Sequence, residues 1–74
     1  MASVKKIIAK MKSAPNTIRP EEAEKVLKAY GYEFGRQKGS HRHYINSSGD
    51  VITIKQESQL KRAYIEVILS RIGE

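Results

Sequence analysis

The sequence has no cysteine, no tryptophan and only two prolines in 74 residues. Without cysteine there is no disulfide framework and no thiolate zinc site, so the small secreted classes that depend on cross-links are excluded. A reducing, intracellular setting is the simpler expectation. No apolar run approaches the roughly 18 residues that span a bilayer, and the basic N-terminus lacks the apolar segment of a signal peptide. We therefore expect a cytoplasmic protein without a membrane partner.

Large apolar side chains are also few. The hydrophobic fraction is 39%, in which nine residues are isoleucine and six are alanine. A chain this short buries only about 60% of the surface that it exposes when unfolded, which is not enough for two cores. The sequence thus predicts one domain over residues 1–74, with marginal stability.

Acidic residues are outnumbered, with eight Asp and Glu against fourteen Lys and Arg, for a net charge of +6 and a pI near 9.8. A small surface with this charge attracts polyanions, so nucleic acid is the first partner to consider. The alternative is a set of solvated lysines with no partner. The basic residues form two groups, Lys5, Lys6, Lys10 and Lys12 near the N-terminus and Arg36, Lys38 and Arg42 around two histidines.

Two helices are predicted in the first half of the chain. Residues 3–13 have apolar residues at helical spacing, lysines on the other side and Ser3 as a suitable N-cap. A second helix is expected from Pro20, at the first helical position, to just before Gly31. The apolar stripes expected to face the core are Val4, Ile7, Ile8 and Met11 in the first helix and Ala23, Val26, Leu27 and Tyr30 in the second.

After the second helix the apolar period changes from helical spacing to alternation, which indicates strands. Strands are predicted over 32–38, 40–45 and 51–54. Gly39 closes the first hairpin, and the polar cluster 46–50 forms the second turn. Short connections of this kind produce an antiparallel meander.

A third helix closes the chain and ends at Gly73, from a start either after Ser58 or near Ala63. Its expected apolar side is Leu60, Tyr64, Val67, Ile68 and Ile72. The order is therefore α-α-β-β-β-α, an α+β fold with a three-stranded antiparallel sheet and helices on one of its faces.

His41 and His43 are the residues best suited to chemistry. They share a face of the predicted strand and lie roughly 7 Å apart, which leaves room for a phosphate. Ser40 and His41 are neighbours that point to opposite faces, so they cannot form a nucleophile and base pair. The carboxylates show no ligand spacing around the histidines, so no metal is expected. The alternative is that both histidines are ordinary surface residues.

Cleavage of RNA needs few groups, because the 2′-hydroxyl of the substrate can attack the adjacent phosphate. The enzyme supplies a proton acceptor, a proton donor and positive charge for the phosphorane. Histidine titrates near pH 6.5 and can fill either proton role. Lys38, across the Gly39 turn, is a better source of charge than Arg42, which points away from His41 in a regular strand. Gly39 either lets phosphate approach closely or only forms the turn.

One ordered set of motifs extends over about residues 18–72. A helix, Gly31 and an aromatic strand precede Lys38-Gly39-Ser40-His41, and Tyr44, a turn, the strand 51–54 and a closing helix follow it. This order resembles the HicA toxins of bacterial toxin–antitoxin pairs. The helix at 3–13 is similar to the extra N-terminal helix in the longer form of that family. Residues 55–58 stand where many members have a proline-containing stretch.

The resemblance implies a double-stranded-RNA-binding-domain-like fold, metal-free and cofactor-free cleavage of messenger RNA, and a HicB antitoxin that covers the catalytic face. It implies that His41 is the catalytic histidine. A non-catalytic RNA-binding module of the same fold is the alternative, and a third possibility is a protein whose basic face meets only an acidic antitoxin. Residues expected to contact RNA or phosphate are Lys38, Gly39, Ser40, Arg36, Arg42 and His43, the last on spacing alone.

Overall fold

The computed structural model describes residues 3–74. It confirms the α+β class and the predicted order of elements, with one short 3-10 turn added after the first helix. The helices are α1 (Val4–Ser13), α2 (Pro20–Ala29) and α3 (Arg62–Ile72), the 3-10 turn is Pro15–Thr17, and the strands are β1 (Glu33–Lys38), β2 (His41–Ile45) and β3 (Val51–Lys55). No helix among these residues is long and apolar enough to cross a membrane.

The first two helices begin at side chains that satisfy their free backbone amides. The Ser3 hydroxyl accepts a hydrogen bond from the Lys6 amide at 3.2 Å, as the N-cap prediction requires. At the start of α2 the Glu22 carboxylate accepts from the Arg19 amide at 3.0 Å. Such contacts typically contribute about 1 kcal/mol each. Gly31, at φ +89°, turns the chain away from α2 in a conformation that favours glycine.

Two predicted core positions are wrong. Tyr30 is 40% exposed because the helical residues of α2 end at Ala29 and the tyrosine lies on the C-cap, off the helical face. Val67 is 41% exposed, whereas Ile65 is fully buried. The error in α3 comes from counting Leu60 as helical, which rotates the predicted apolar stripe toward Val67 and away from Ile65. The predicted Tyr64, Ile68 and Ile72 do face the core.

The segment between β3 and α3 is irregular but anchored. Leu60 is 1% exposed, and its amide donates to the Ile18 carbonyl at 2.7 Å. This contact fixes the approach to α3, which begins at Arg62, close to the later of its two predicted starts. Ile18 is itself fully buried ahead of α2.

The sheet is antiparallel in the order β1-β2-β3, as predicted. Lys38 and His41 pair across the first hairpin, and Gly39 at φ +60° occupies the first central position of its turn. In the second turn the Asn46 side chain accepts from the amides of Ser48 and Asp50, at 3.0 and 2.8 Å. Both predicted turns are confirmed.

A β-bulge interrupts β1 at Gly35, which the alternating pattern did not predict. Phe34 pairs with Tyr44 but the next pair is Arg36 with His43, so Gly35 is an extra residue. Strict alternation would place Arg36 on the same face as Phe34. The bulge turns it to the opposite face. A Cβ at Gly35 would lie 3.3 Å from the His43 carbonyl oxygen, which is why a residue without a side chain fits there.

The helices cover one face of the sheet and leave the other uncovered. Tyr44, Ile52 and Ile54 point into the covered side and join one core with residues of all three α-helices. α1 contributes Ile7 and Met11 to that core, so it packs on the helical layer. The uncovered side, called the open face below, carries the side chains of Glu33, Arg36, Lys38, His41, His43, Ile45, Val51, Thr53 and Lys55.

Candidate nucleic-acid interface

The open face arranges its side chains in three rows that cross the strands. Side chains directly opposite each other on antiparallel strands lie about 4.5–5.5 Å apart at Cβ, so the members of a row are neighbours. The first row is Lys38, His41 and Lys55, the second is Arg36, His43 and Thr53, and the third is Glu33, Ile45 and Val51.

The first row places an exposed imidazole between two ammonium groups. His41 pairs with Lys38 on one side and with Lys55 on the other. Neither the His41 nor the Lys38 side chain makes a hydrogen bond or ion pair within residues 3–74. Lys55 has a 3.4 Å ion pair with Glu57, which is a weak constraint at 40% exposure. An anion above His41 would therefore meet two positive charges.

Lys55 is a site residue that sequence reasoning missed. The signal for it is the register of the second hairpin, because the turn at 46–50 pairs Ile45 with Val51. Counting outward from that pair in an antiparallel ladder places Lys55 opposite His41. The omission came from ending the predicted third strand at Ile54.

In the second row, His43 has a side-chain partner and Arg36 does not. His43 Nδ1 lies 2.8 Å from Thr53 Oγ1, a contact that orients the half-buried ring. The Arg36 side chain is exposed and makes no hydrogen bond or ion pair in the part of the chain that the structure describes. His41 and His43 occupy the same face, as their spacing predicted.

Arg42 lies on the covered face, away from the other residues expected at the site. Its guanidinium is 4.6 Å from the centre of the Phe34 ring and 5.8 Å from that of Tyr44, and one of its nitrogens lies 3.4 Å from Glu24 Oε2. Its buried Nε has no hydrogen-bond partner among the described residues. Arg42 therefore lies apart from the candidate phosphate-binding residues of the open face, because strand alternation turns it toward α2.

Glu24 anchors β2 to α2. The Tyr44 hydroxyl donates to Glu24 Oε2 at 2.6 Å, and Lys28 lies 3.3 Å from the other carboxylate oxygen. The hydrogen bond from Tyr44 holds the pKa of Glu24 below its usual value. Burial, and then the hydrogen bond to Glu24, raises the pKa of the Tyr44 phenol. These contacts hold the strand that carries both histidines.

Gly39 and Ser40 form the turn between Lys38 and His41. The Gly39 carbonyl accepts from the Gln37 side chain at 2.9 Å, and the Ser40 carbonyl accepts from the Gln56 amide at 2.6 Å. A Cβ at Gly39 would have no atom within 4 Å, so the positive φ is the structural requirement for glycine. The turn thus places the two residues beside the first row, next to the candidate phosphate position.

The N-terminal lysines belong to a separate surface. α1 packs against α2 and α3, on the far side of the sheet from the open face. Two of its lysines are already paired, Lys10 with Glu22 at 3.1 Å and Lys12 with Glu74 at 2.9 Å. The two basic groups of the sequence therefore do not combine into one interface.

The meander is covered by helices on one face. Its other face bears two histidines and the cations Arg36 and Lys38, whose side chains have no partner among residues 3–74. This arrangement defines an α+β protein with a surface suited to a polyanion. Residues 20–73 match the family described as the HicA toxin of bacterial toxin–antitoxin systems. The chain belongs to this family, and α1 precedes the matched region as an additional helix. No curated protein and no solved structure matches the chain.

Proposed function

We propose that this HicA-family toxin is a metal-independent endoribonuclease that cleaves messenger RNA and so inhibits translation, with a HicB-like antitoxin as its partner. The observation that carries the proposal is the first row of the open face, where His41 stands between Lys38 and Lys55. Family membership supports the toxin role. The row supplies what a reaction at phosphate requires, a titratable imidazole with cations on both sides.

The proposed reaction uses the hydroxyl of the substrate as nucleophile. The 2′-oxygen bonds to the adjacent phosphorus as its proton passes to a base, and the bond from phosphorus to the 5′-oxygen breaks as that oxygen takes up a proton. The products are a 2′,3′-cyclic phosphate and a 5′-hydroxyl end. His41 performs one of the two proton transfers, a role that typically contributes 10²–10⁴-fold to the rate.

The lysines stabilise the negative charge that develops on the phosphorane. Lys38 and Lys55 approach from opposite sides of His41 because they belong to the two strands that flank β2. Fixed positive groups of this kind favour the transition state over the ground state when charge increases on the phosphate oxygens. Gly39 and Ser40 are expected to contact the same phosphate from the turn.

His43 is the candidate for the second proton transfer. It lies in the next row of the same face, and its ring is oriented by Thr53. Strand geometry places it about 7 Å from His41, which leaves room for a bound phosphate between the two side chains. If His43 shares the reaction, His43→Ala lowers the cleavage rate, by less than His41→Ala.

The test is cleavage of a defined RNA by purified protein in the presence of EDTA, with the products identified by mass spectrometry. We expect unchanged cleavage, a 2′,3′-cyclic phosphate or its opened form, and resistance of DNA and of 2′-O-methyl RNA. Cleavage of DNA at a comparable rate, or its loss in EDTA, would exclude the mechanism. Wild-type protein and the His41→Ala variant are compared in the same assay.

A second candidate function is RNA binding without cleavage. It is favoured by Arg36 and Lys38, whose charges have no partner in the described part of the chain and can hold phosphate without help from a histidine. Both functions predict affinity that falls with salt, by about 0.7 log units per log unit for each phosphate neutralised on a single strand. Intact binding by wild-type protein with undetectable cleavage would favour the binding module, and antitoxin binding with negligible RNA affinity would favour a pure interaction protein.

A further inference from the structure

A small depression lies at the third row of the open face, beyond His43. It has a volume of about 280 Å³ and is lined by Gly35, Arg36, His43, Ile45 and Val51. Ile45 and Val51 face each other across the strands and remain 43% and 45% exposed. The bulge residue Gly35 keeps the depression open, because a Cβ there would lie 3.7 Å from a methyl group of Ile45.

The lining combines apolar walls with unused hydrogen-bond donors. Arg36 carries five N–H groups with no partner among residues 3–74. The volume is just below the roughly 300–1,000 Å³ of typical small-molecule sites, which suits one flat ring system. Two exposed aliphatic side chains provide far less than the roughly 800 Å² that each partner buries in a standard protein interface.

The position of the depression relative to His41 fits a polynucleotide. Successive rows on one face are separated by about 7 Å along the strand. A phosphate above the first row therefore places the base of an adjoining nucleoside over the second and third rows. Purines present the N7 acceptor on their Hoogsteen edge, guanine adds O6, and arginine is the side chain that most often pairs with these atoms.

We propose that this depression is the base subsite of the enzyme and that it receives a purine adjacent to the scissile phosphate. The purine lies over the side chains of Ile45 and Val51, and the Arg36 guanidinium donates to its N7. The inference rests on the proposed ribonuclease function for the presence of a scissile phosphate. It goes beyond that function because it assigns sequence selectivity to Arg36 in the second row and to Ile45 and Val51 in the third row.

The first experiment measures binding and needs no catalysis. Wild-type protein with labelled methyl groups is titrated with the 3′- and 5′-monophosphates of guanosine, adenosine, cytidine and uridine. We expect purine nucleotides to shift the Ile45 and Val51 methyl signals and to bind about tenfold more tightly than pyrimidine nucleotides. Equal binding of purines and pyrimidines, or shifts that spare both methyl signals, would overturn the subsite.

The matched variants are Val51→Gln and Val67→Gln. The two valines are 45% and 41% exposed, and the substitution changes size and polarity equally, but Val67 lies on α3, away from the open face. We expect Val51→Gln to remove most of the purine preference and Val67→Gln to retain it. Arg36→Lys keeps the charge but loses the planar fork, so it should reduce the preference while leaving overall phosphate affinity nearly unchanged. Equal preference in all three variants would overturn the proposal.

The second experiment separates the subsite from the ribonuclease function. Oligonucleotides that differ in a single base are cleaved with wild type, Val51→Gln and Val67→Gln. Absence of cleavage with intact purine binding would remove the ribonuclease function alone. Cleavage without any base preference in wild type would remove the subsite alone. A Val51→Gln protein with unchanged nucleotide binding but weakened antitoxin binding would assign the depression to a protein contact and overturn the proposal.

Discussion

Alternate residues of β2 stand in two different surroundings. His41, His43 and Ile45 point to the open face, where they are accessible. Arg42 and Tyr44 point to the covered face, where Tyr44 is fully buried and Arg42 is held by Glu24 and the Phe34 ring. One short strand therefore supplies both the candidate site and part of the core.

The two faces of the sheet also differ in whether their positively charged side chains have partners. On the covered side, Glu24 brings together a phenol, a guanidinium and an ammonium group, so the positive charges already have a partner. On the open face, Lys38 and Arg36 have none among residues 3–74. Such cations are available to an anionic ligand at no cost in broken internal contacts. Strand alternation thus separates the residues that stabilise the core from those of the candidate site.

The largest expected effect is a loss of cleavage rate when a residue on the open face of β2 is substituted. His41→Ala should lower the cleavage rate by roughly 10²–10⁴-fold and abolish growth inhibition in cells, because it removes a proton-transfer group. The fold should survive, since His41 is exposed. Turnover and circular dichroism are measured on the same preparations. Full activity in a folded His41→Ala protein would refute its assignment as the catalytic residue.

The next largest expected effect is a loss of stability when a residue on the covered face of β3 is substituted. Ile54 is fully buried, and Ile54→Ala should reduce the free energy of unfolding by about 2–5 kcal/mol. That loss can unfold so small a domain, so Ile54→Val, at about 0.5–1.5 kcal/mol, provides a measurable variant. Val51→Ala on the open face should cost less than Ile54→Ala. If urea denaturation showed a larger loss of stability for Val51→Ala than for Ile54→Ala, the expected contrast between the two faces of the sheet would be wrong.

A smaller effect on rate is expected from the lysines of the first row. Lys38→Gln and Lys55→Gln should each lower the cleavage rate by roughly tenfold through weaker stabilisation of the phosphorane, with little change in stability. Lys5→Gln is the control, because Lys5 lies on α1 and is exposed on the helical layer. It should alter RNA binding at most. A Lys5→Gln protein as slow as Lys38→Gln would show that the charge acts only through overall attraction.

The smallest expected effect is on the pH dependence of the free energy of unfolding. The pKa of Glu24 is held below its usual value, first by the hydrogen bond from Tyr44, so the folded state favours the ionised carboxylate. Its stabilisation is present above the ordinary carboxyl pKa and is lost as pH falls through the lowered folded value. Glu24→Gln should therefore make stability less dependent on pH in the acid range. Urea denaturation between pH 7 and pH 3 measures the slope.

Glu21→Gln is the matched control for that measurement, because Glu21 is exposed on the same helix. Its acid-range slope should resemble that of the wild type. Tyr44→Phe removes the hydroxyl that donates to Glu24 and should cost about 1–2 kcal/mol at neutral pH. A Glu24→Gln protein with the wild-type slope would show that Glu24 does not anchor β2.

Local signals in the sequence were sufficient for most elements. Ser3 and Pro20 marked the starts of α1 and α2 because caps and proline act on neighbouring backbone groups. The glycines at 31 and 39 and the cluster at 46–50 marked the turns for the same reason. His41 and His43 could be placed on one face because alternation is a property of a single strand.

Several features that depend on the detailed register or packing of a partner strand or helix were not predicted correctly. The Gly35 bulge depends on the backbone of β2, and Lys55 becomes a neighbour of His41 only through the register of β3. Tyr30 and Val67 were expected in the core because helical spacing identifies an apolar stripe but not the residues at which a helix begins and ends.

The order of the elements, the basic charge and the two histidines on one strand face could all be predicted from the sequence, because they follow from residue type and spacing. The cations that flank His41 could be identified only once the strands were paired and the helices packed. The bulge at Gly35 turns Arg36 and Lys38 to the open face, and Glu24 retains Arg42 on the covered face. The physical reason is that a side chain's neighbours across a sheet are set by register and packing, which involve residues distant in the chain.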